Sequence, residues 1–253
     1  MVFKAFTRLL KRMYHFLIPD RVIYKKVILP AKYLRYCGRD FHDNEHYLNS
    51  ALKEADRIIK TIGIDHSSIL DVGCGVGRLA IGLLIRNPSI KAYYGVDVSP
   101  RAIKWCKKNI SPSHSNFNFI LMDMKNELYN KEGKGTSPAL TFLYGKNLDG
   151  IYLYSVFSHM KHEDVISYLQ EFKSIIAPTG KIFFTAFLEE HVPDEVENPV
   201  NYRMKWTLPL HCVRYNKKYL ENILDNSGFK IDRFDYATET DGQSGVYLSL
   251  KSS

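Results

Sequence analysis

A chain of 253 residues with 45% hydrophobic and 13% aromatic side chains is long enough for one α/β domain with an elaboration, and too apolar to stay disordered. No apolar run approaches the roughly 18–20 residues of a membrane span, and four scattered cysteines (Cys37, Cys74, Cys106, Cys212) form neither a zinc pattern nor a dense disulfide framework. The formal net charge of +8 admits anionic partners without identifying one, and the isolated thiols fit a reducing, cytoplasmic setting.

Residues 1–36 carry Lys4, Arg8, Lys11, Arg12, Arg21, Lys25, Lys26, Lys32 and Arg35 against one acid, Asp20. Apolar residues at helical spacing predict an amphipathic helix over 2–18, ended by Pro19. Interleaved charges and the lack of a continuous apolar core argue against a secretory signal. Four fates are open to this segment: packing on the domain, contact with a second copy of the chain in a homodimer, peripheral attachment of residues 1–35 to anionic lipid or a lipid-linked substrate, or disorder. Residues 33–49 are rich in aromatic and polar groups and, on their own, read as an ordinary connecting loop. A second amphipathic helix is predicted over 47–62, stopped by Gly63.

The core begins with a predicted strand over 68–72, followed by Asp71-Val72-Gly73-Cys74-Gly75-Val76-Gly77-Arg78 and a helix. Glycines in a strand–turn–helix unit let the main chain turn sharply and let a ligand approach it closely. The dinucleotide fingerprint G-x-G-x-x-G fails, because Arg78 stands where its third glycine belongs. Cys74 reads as a small residue suited to the turn. A second strand, 91–96, ends in Asp97, about twenty residues past the glycines, where an α/β nucleotide site places a carboxylate for ribose hydroxyls. Ser99-Pro100 caps the next helix.

A third strand is predicted over 116–121, before Met122-Asp123-Met124, and 126–146 reads as a surface excursion. A fourth, 148–154, runs into Ser155-Val156-Phe157-Ser158-His159-Met160 at the edge where ligands bind in open α/β sheets. A helix over 163–176 and an apolar strand over 181–188 follow. Residues 189–215 form a long proline-bearing loop, a candidate acceptor cover with His191, Tyr202, Trp206 and His211, or else a dimer contact. A helix over 216–227 and strands over 229–236 and 246–250 close the chain.

The stretch Asp71-Val72-Gly73-Cys74-Gly75-Val76-Gly77-Arg78 resembles motif I of the class I S-adenosylmethionine-dependent methyltransferases, and the Ser155–Met160 stretch resembles a recurring bacterial version of the region after motif IV. The likeness covers roughly 47–251 and is nearest to bacterial small-molecule methyltransferases. It implies a Rossmann-like, doubly wound, seven-stranded α/β sheet with the last strand antiparallel, here preceded by an N-terminal helical extension. In that family the segment before motif I often folds over the cofactor, which would make 33–49 a lid lined by Tyr36, Arg39 and Phe41 instead of a plain connecting loop. The domains would be 1–46 (helical and lid extension) and 47–253 (methyltransferase domain), with 189–215 as an acceptor-binding insertion.

The resemblance also implies S-adenosyl-L-methionine as cofactor, S-adenosyl-L-homocysteine as product, and no metal. Its cofactor-binding set would be Asp71, Gly73, Gly75, Gly77, Asp97, Val98, Asp123, Met124 and Ser155. Asp71 and the glycines would hold the methionine end, and Asp123 with Met124 the adenine. A hydroxyl or ammonium acceptor needs a proton acceptor, and His159 is the first candidate. Tyr36, Arg39, His191, Tyr202, Trp206 and His211 are the substrate-binding candidates.

Tyr154-Ser155-Val156-Phe157 stands where DNA amino-methylating enzymes carry an Asn/Asp-Pro-Pro-Tyr/Phe clamp, and no RNA module is visible, so nucleic acid is not the expected partner. The expected acceptor is a small polar molecule: a sugar, a phosphorylated metabolite or a glycolipid headgroup. The alternatives are a membrane-associated enzyme acting on lipid or nucleic acid, and a non-catalytic S-adenosylmethionine-binding protein.

Overall fold

A computed structural model of the chain describes residues 19–36, 38–63, 66–86, 89–124, 130, 132–135 and 138–251. The helix expected over 2–18, and Cys37, lie outside the described residues.

A hairpin that the sequence reading did not anticipate comes first, β1 (Arg21–Tyr24) against β2 (Val27–Pro30). Its turn, Lys25-Lys26, lacks the usual Gly or Asn signal yet holds both residues at positive φ. Two single-turn 3-10 segments, Lys32–Leu34 and Arg39–His42, lead into α1 (Asn44–Ile62). Asp43 caps α1 by accepting from the His46 N–H at 2.8 Å, and Gly63 at φ 63 ends it. The buried stripe Leu48, Ala51, Ala55 and Ile58 packs α1 on the sheet side of the domain.

Alternating units follow: β3 (Ser67–Val72), α2 (Arg78–Arg86), β4 (Ile90–Asp97), α3 (Pro100–Asn109), β5 (Phe117–Leu121), β6 (Leu148–Leu153), α4 (His162–Ile175) and β7 (Ile176–Glu189). The 189–215 region is less bare than its prolines suggested, since it contains β8 (Glu195–Glu197) and leads into β9 (Val213–Asn216), an antiparallel pair docked on the end of β7. The chain closes with α5 (Lys217–Asn226), β10 (Phe229–Asp235) and β11 (Ser244–Leu250).

The main sheet runs β10-β11-β7-β6-β3-β4-β5, with β11 antiparallel to β7 and β10, and the five strands from β7 to β5 parallel. This is the expected doubly wound seven-stranded order. Ser99 and Asn216 cap α3 and α5 as expected. Pro178-Thr179-Gly180, between the helix predicted over 163–176 and the strand predicted over 181–188, lies inside β7 as an irregularity, where pairing with β6 jumps from Leu148↔Ile176 to Gly150↔Lys181. The 126–146 stretch is more than a surface excursion, because Leu140 and Leu143 are fully buried in the core.

Strand order reverses at β3, which pairs β4 on one side and β6 on the other. A crevice therefore opens beyond the carboxyl ends of β3 and β6. The glycine turn leaves β3 at that crevice, and Tyr154-Ser155 leaves β6 there.

Candidate active site

A cavity of about 1050 Å³ occupies the crevice. Its floor is the glycine turn, tied to the neighbouring strand by the N–H groups of Gly73 and Cys74, which donate to the Val96 carbonyl at 2.8 and 3.0 Å. Gly73 and Gly75 take φ values of 71° and 51°, a region that side chains rarely adopt. A Cβ on Gly73 would stand 2.5 Å from Val156 Cγ2, whereas nothing lies within 4 Å of one on Gly75. Gly75 thus leaves an open cradle in the cavity floor.

Asp97, at the end of β4, locks this turn. Its Oδ2 accepts from the Gly75 N–H and its Oδ1 from the Ser99 N–H, both at 2.7 Å. A carboxylate offers about four acceptor sites, so capacity for further donors remains. Burial pushes its pKa up, against these two backbone bonds. Asp71 is deeper still: burial raises its carboxyl to about 8, and its Oδ2 accepts from the Tyr93 hydroxyl. Cys74 is buried and its thiol is pushed well up by desolvation, which makes it unreactive.

The opposite wall begins at Ser155, whose φ of 55° is fixed by a ring of hydrogen bonds. Its N–H donates to Thr185 Oγ1 at 2.8 Å, Thr185 donates to Gln243 Oε1 at 2.6 Å, and Gln243 Nε2 donates to Ser155 Oγ at 2.8 Å. His159 follows on the 3-10 turn Phe157–His159, with Nδ1 3.0 Å from the Leu210 carbonyl oxygen. A carbonyl only accepts, so Nδ1 carries the proton and Nε2 is left as an acceptor. Burial also lowers the His159 pKa, keeping the ring neutral. His211 lies nearly parallel to it with ring centroids 6.5 Å apart, its Nδ1 is buried with no hydrogen-bond partner among the described residues, and Trp206 meets it edge-on at 5.2 Å.

The third side is the strap before α1. Arg35, buried, donates to the carbonyls of Pro30, Phe41 and Asp43 and to Asn44 Oδ1, which sets the path of residues 35–44. Behind the strap, Arg78 pairs with Glu54 at 2.5 Å and lies over the rings of Phe41 and Tyr154 at 4.7 and 4.9 Å.

The structure brings Asp71, Gly73, Gly75, Asp97, Val98, Met124, Ser155, His159, Tyr36, Arg39, Trp206 and His211 to the cavity wall. It leaves four expected residues off that wall. Gly77 is buried against α3, where a Cβ would come within 2.8 Å of Ile110 Cδ1, so its role is helix packing. Asp123 is exposed, with its carbonyl accepting from the Gly135 N–H at 2.7 Å, and Met122 and Met124 line the cavity beside it. His191 is exposed at φ 58. Tyr202 stands behind Trp206, accepting its indole N–H through the main-chain oxygen at 2.8 Å.

Sequence reasoning missed Glu54, Asp164, Tyr168, Met204, Leu208, Thr240, Asp241 and Gln243, all lining residues. Thr240–Gln243 belongs to a stretch whose turn chemistry reads as a plain joint between strands. Away from the cavity, ligand atoms of His162, Glu163 and Glu195 lie within 4.8 Å of one another. Glu195 there accepts from the His162 N–H at 2.7 Å and so serves the start of α4.

A family model described as a methyltransferase domain matches residues 41–233. The chain is 26% identical over 195 residues to a tRNA N(3)-methylcytidine methyltransferase of Schizosaccharomyces pombe, covering 73% of each chain. It is 25% identical over 144 residues to a malonyl-[acyl-carrier protein] O-methyltransferase of Acetivibrio thermocellus, covering 51% of this chain and 50% of that one. Among solved structures, magnesium protoporphyrin IX methyltransferase from Synechocystis PCC 6803, with S-adenosylmethionine bound, is similar in fold at a TM-score of 0.55 and 13% identity, with 87% of this chain and 88% of that one covered.

Proposed function

The chain belongs to the methyltransferase-domain family, and from that premise we propose that it moves a methyl group from S-adenosylmethionine to an oxygen or nitrogen atom of a small polar acceptor. It is an S-adenosylmethionine-dependent methyltransferase; the acceptor class and the residue roles are our reading. One observation carries it: a single cavity joins the glycine turn and Asp97 to the wall built by His159, Trp206 and His211.

The cradle at Gly75 and the half-buried carboxylate of Asp97 fit the cofactor's nucleoside, with Val98, Met122 and Met124 as flanking apolar groups. Asp71 shapes the turn beneath the methionine end through its bond from Tyr93. The sulfonium that S-adenosylmethionine supplies when bound is already activated toward transfer, so the protein's work is alignment, exclusion of water and removal of a proton. His159, held in one tautomer by Leu210, presents Nε2 to take that proton from the acceptor.

The lining disfavours a phosphorylated acceptor or a nucleic-acid backbone. Six acidic side chains line the cavity among the described residues; with Glu54 paired to Arg78 and the Asp71 carboxyl raised to about 8, Asp40, Asp97, Asp164 and Asp241 remain, against Arg39, since Arg35 is spent on carbonyls. Among the described residues no helix is long and apolar enough to cross a membrane. The test is transfer of label from methyl-tritiated S-adenosylmethionine into a pool of small hydroxyl and amino compounds. Label in a small product, lost in His159→Ala, supports the reading; cofactor binding without transfer to any acceptor would favour a non-catalytic role.

A further inference from the structure

The cavity has two ends of different character. At its mouth, Tyr36, Met204 and Leu208 line the wall yet remain 44, 44 and 46% exposed, and Phe187, Trp206 and Leu210 continue this apolar surface inward. Such a rim can receive a flat or aliphatic part of a small acceptor whose polar group reaches inward.

The polar groups at this end come from three separate elements: His159 after β6, His211 before β9, and Asp241 in the turn between β10 and β11. Asp241 has no hydrogen bond or ion pair among the described residues. Its backbone is left-handed, at φ 57 and ψ 17, an uncommon state for a residue with a side chain. The turn is nevertheless firmly held. Glu239 N–H donates to the Gln243 carbonyl at 2.9 Å and Gly242 N–H to the Glu239 carbonyl at 3.0 Å. The Arg203 guanidinium packs where a Cβ on Gly242 would stand, 2.4 Å from Nη1. Glu239 is further pinned by Arg57 of α1 at 2.6 Å and by the Tyr154 hydroxyl at 3.2 Å. A solvent-exposed carboxylate with no hydrogen bond or ion pair among the described residues is thus carried on a braced turn that lines the cavity with His159 and His211.

We propose that Asp241 is the acceptor-recognition carboxylate, and that the acceptor it selects is an amine borne on an apolar, ring-bearing body. This rests on the methyltransferase reading above. The ammonium would be drawn to Asp241, with the Trp206 face alongside for cation–π contact, while the body fills the rim of Tyr36, Met204 and Leu208. The other titratable groups facing Asp241 are Asp40 and the imidazoles of His159 and His211. Arg39 lines the same mouth next to Asp40.

The chemistry balances. His159 Nε2 takes one proton from the ammonium; the freed nitrogen lone pair attacks the methyl carbon. A C–N bond forms as the C–S bond breaks, and that bond's electron pair stays on sulfur. The products are an N-methylammonium and S-adenosylhomocysteine.

The test is calorimetric binding of a matched trio, 2-phenylethylamine, 2-phenylethanol and 3-phenylpropionate, to the full chain saturated with S-adenosylhomocysteine. The expected result is tighter binding of the amine than of the other two by at least about tenfold, a preference removed by Asp241→Asn with S-adenosylhomocysteine affinity unchanged. Equal or tighter binding of the alcohol or the carboxylate, no binding of the amine, or an unaltered preference in Asp241→Asn would each overturn the proposal. Failure of S-adenosylhomocysteine itself to bind would instead overturn the reading on which the proposal rests, and the proposal with it.

Discussion

Nδ1 of His159 lies 3.0 Å from the main-chain oxygen of Leu210, so a residue of the 189–215 segment decides which nitrogen of the imidazole is basic. The segment therefore does more than line the cavity: it sets the tautomer of the imidazole that we propose as proton acceptor. His159→Ala is predicted to lower kcat by about 10²–10⁴-fold while leaving S-adenosylhomocysteine affinity unchanged in calorimetry. Burial depresses the His159 pKa, so the acid limb of kcat/KM should fall below the ordinary histidine value of about 6.5. A limb at or above that value would remove His159 from the role.

Gly75→Ala separates folding from binding. The φ of 51° costs a side chain roughly 1–2 kcal/mol, but nothing within 4 Å obstructs the new Cβ. The variant should fold with a modestly lower Tm and lose most cofactor affinity, because the methyl enters the cradle. Gly77→Ala is predicted to do the reverse: its Cβ meets Ile110 and Cys106, so stability falls and affinity per folded molecule holds. Circular dichroism melts paired with titration check both.

Asp97→Ala should weaken S-adenosylhomocysteine binding by about 1–3 kcal/mol, the loss of hydrogen bonds to a charged group. It also frees the Gly75 N–H that Asp97 now accepts, so part of that loss would come from a looser turn. Titration of the variant reads the sum, and unchanged affinity would refute the assignment.

Much of this arrangement is legible in the sequence, and the exceptions have physical causes. Strand order and the placing of Asp71, Asp97 and Ser155 follow from apolar runs ended by acids and small residues, which is local information. Gly77 and Asp123 obey the motif spacing, but their directions are set by packing: Gly77 by the approach of α3, Asp123 by the pairing of its carbonyl with Gly135. Asp241 and Gln243 were invisible because the β10–β11 turn is brought to the cavity only by β11 inserting antiparallel beside β7. The hairpin at Arg21–Pro30 escaped notice because Lys25-Lys26 is not a hairpin-turn signature.

Asp71 gives the fold a pH dependence of definite sign. Its carboxyl pKa is raised by burial to about 8, above the unfolded value of about 3.9. The native state then binds the extra proton, so this contribution is full below the unfolded pKa and is lost as pH rises toward and through about 8. Wild-type Tm should decline over that window, and Asp71→Asn should flatten the decline. An equal slope in the two proteins would place the effect elsewhere.

The Glu54–Arg78 pair is buried, with side chains 6 and 10% exposed. Arg78→Met alone leaves the buried Glu54 carboxyl with only Tyr152 and the more distant Arg57 charge and should cost up to about 3–5 kcal/mol in denaturant unfolding, whereas Arg78→Met with Glu54→Leu should recover much of that loss. A double variant as unstable as the single would show that the cost lies in packing of Arg78 on Phe41 and Tyr154.

The most direct test of the account is calorimetric titration of the full chain with S-adenosylmethionine, S-adenosylhomocysteine and NAD in parallel. The account predicts binding in the micromolar range, about −8 kcal/mol, for the first two and none for NAD, with both affinities lost in Gly75→Ala. Absence of binding by the first two, or retention of both in a folded Gly75→Ala, would contradict the cofactor site at the glycine turn.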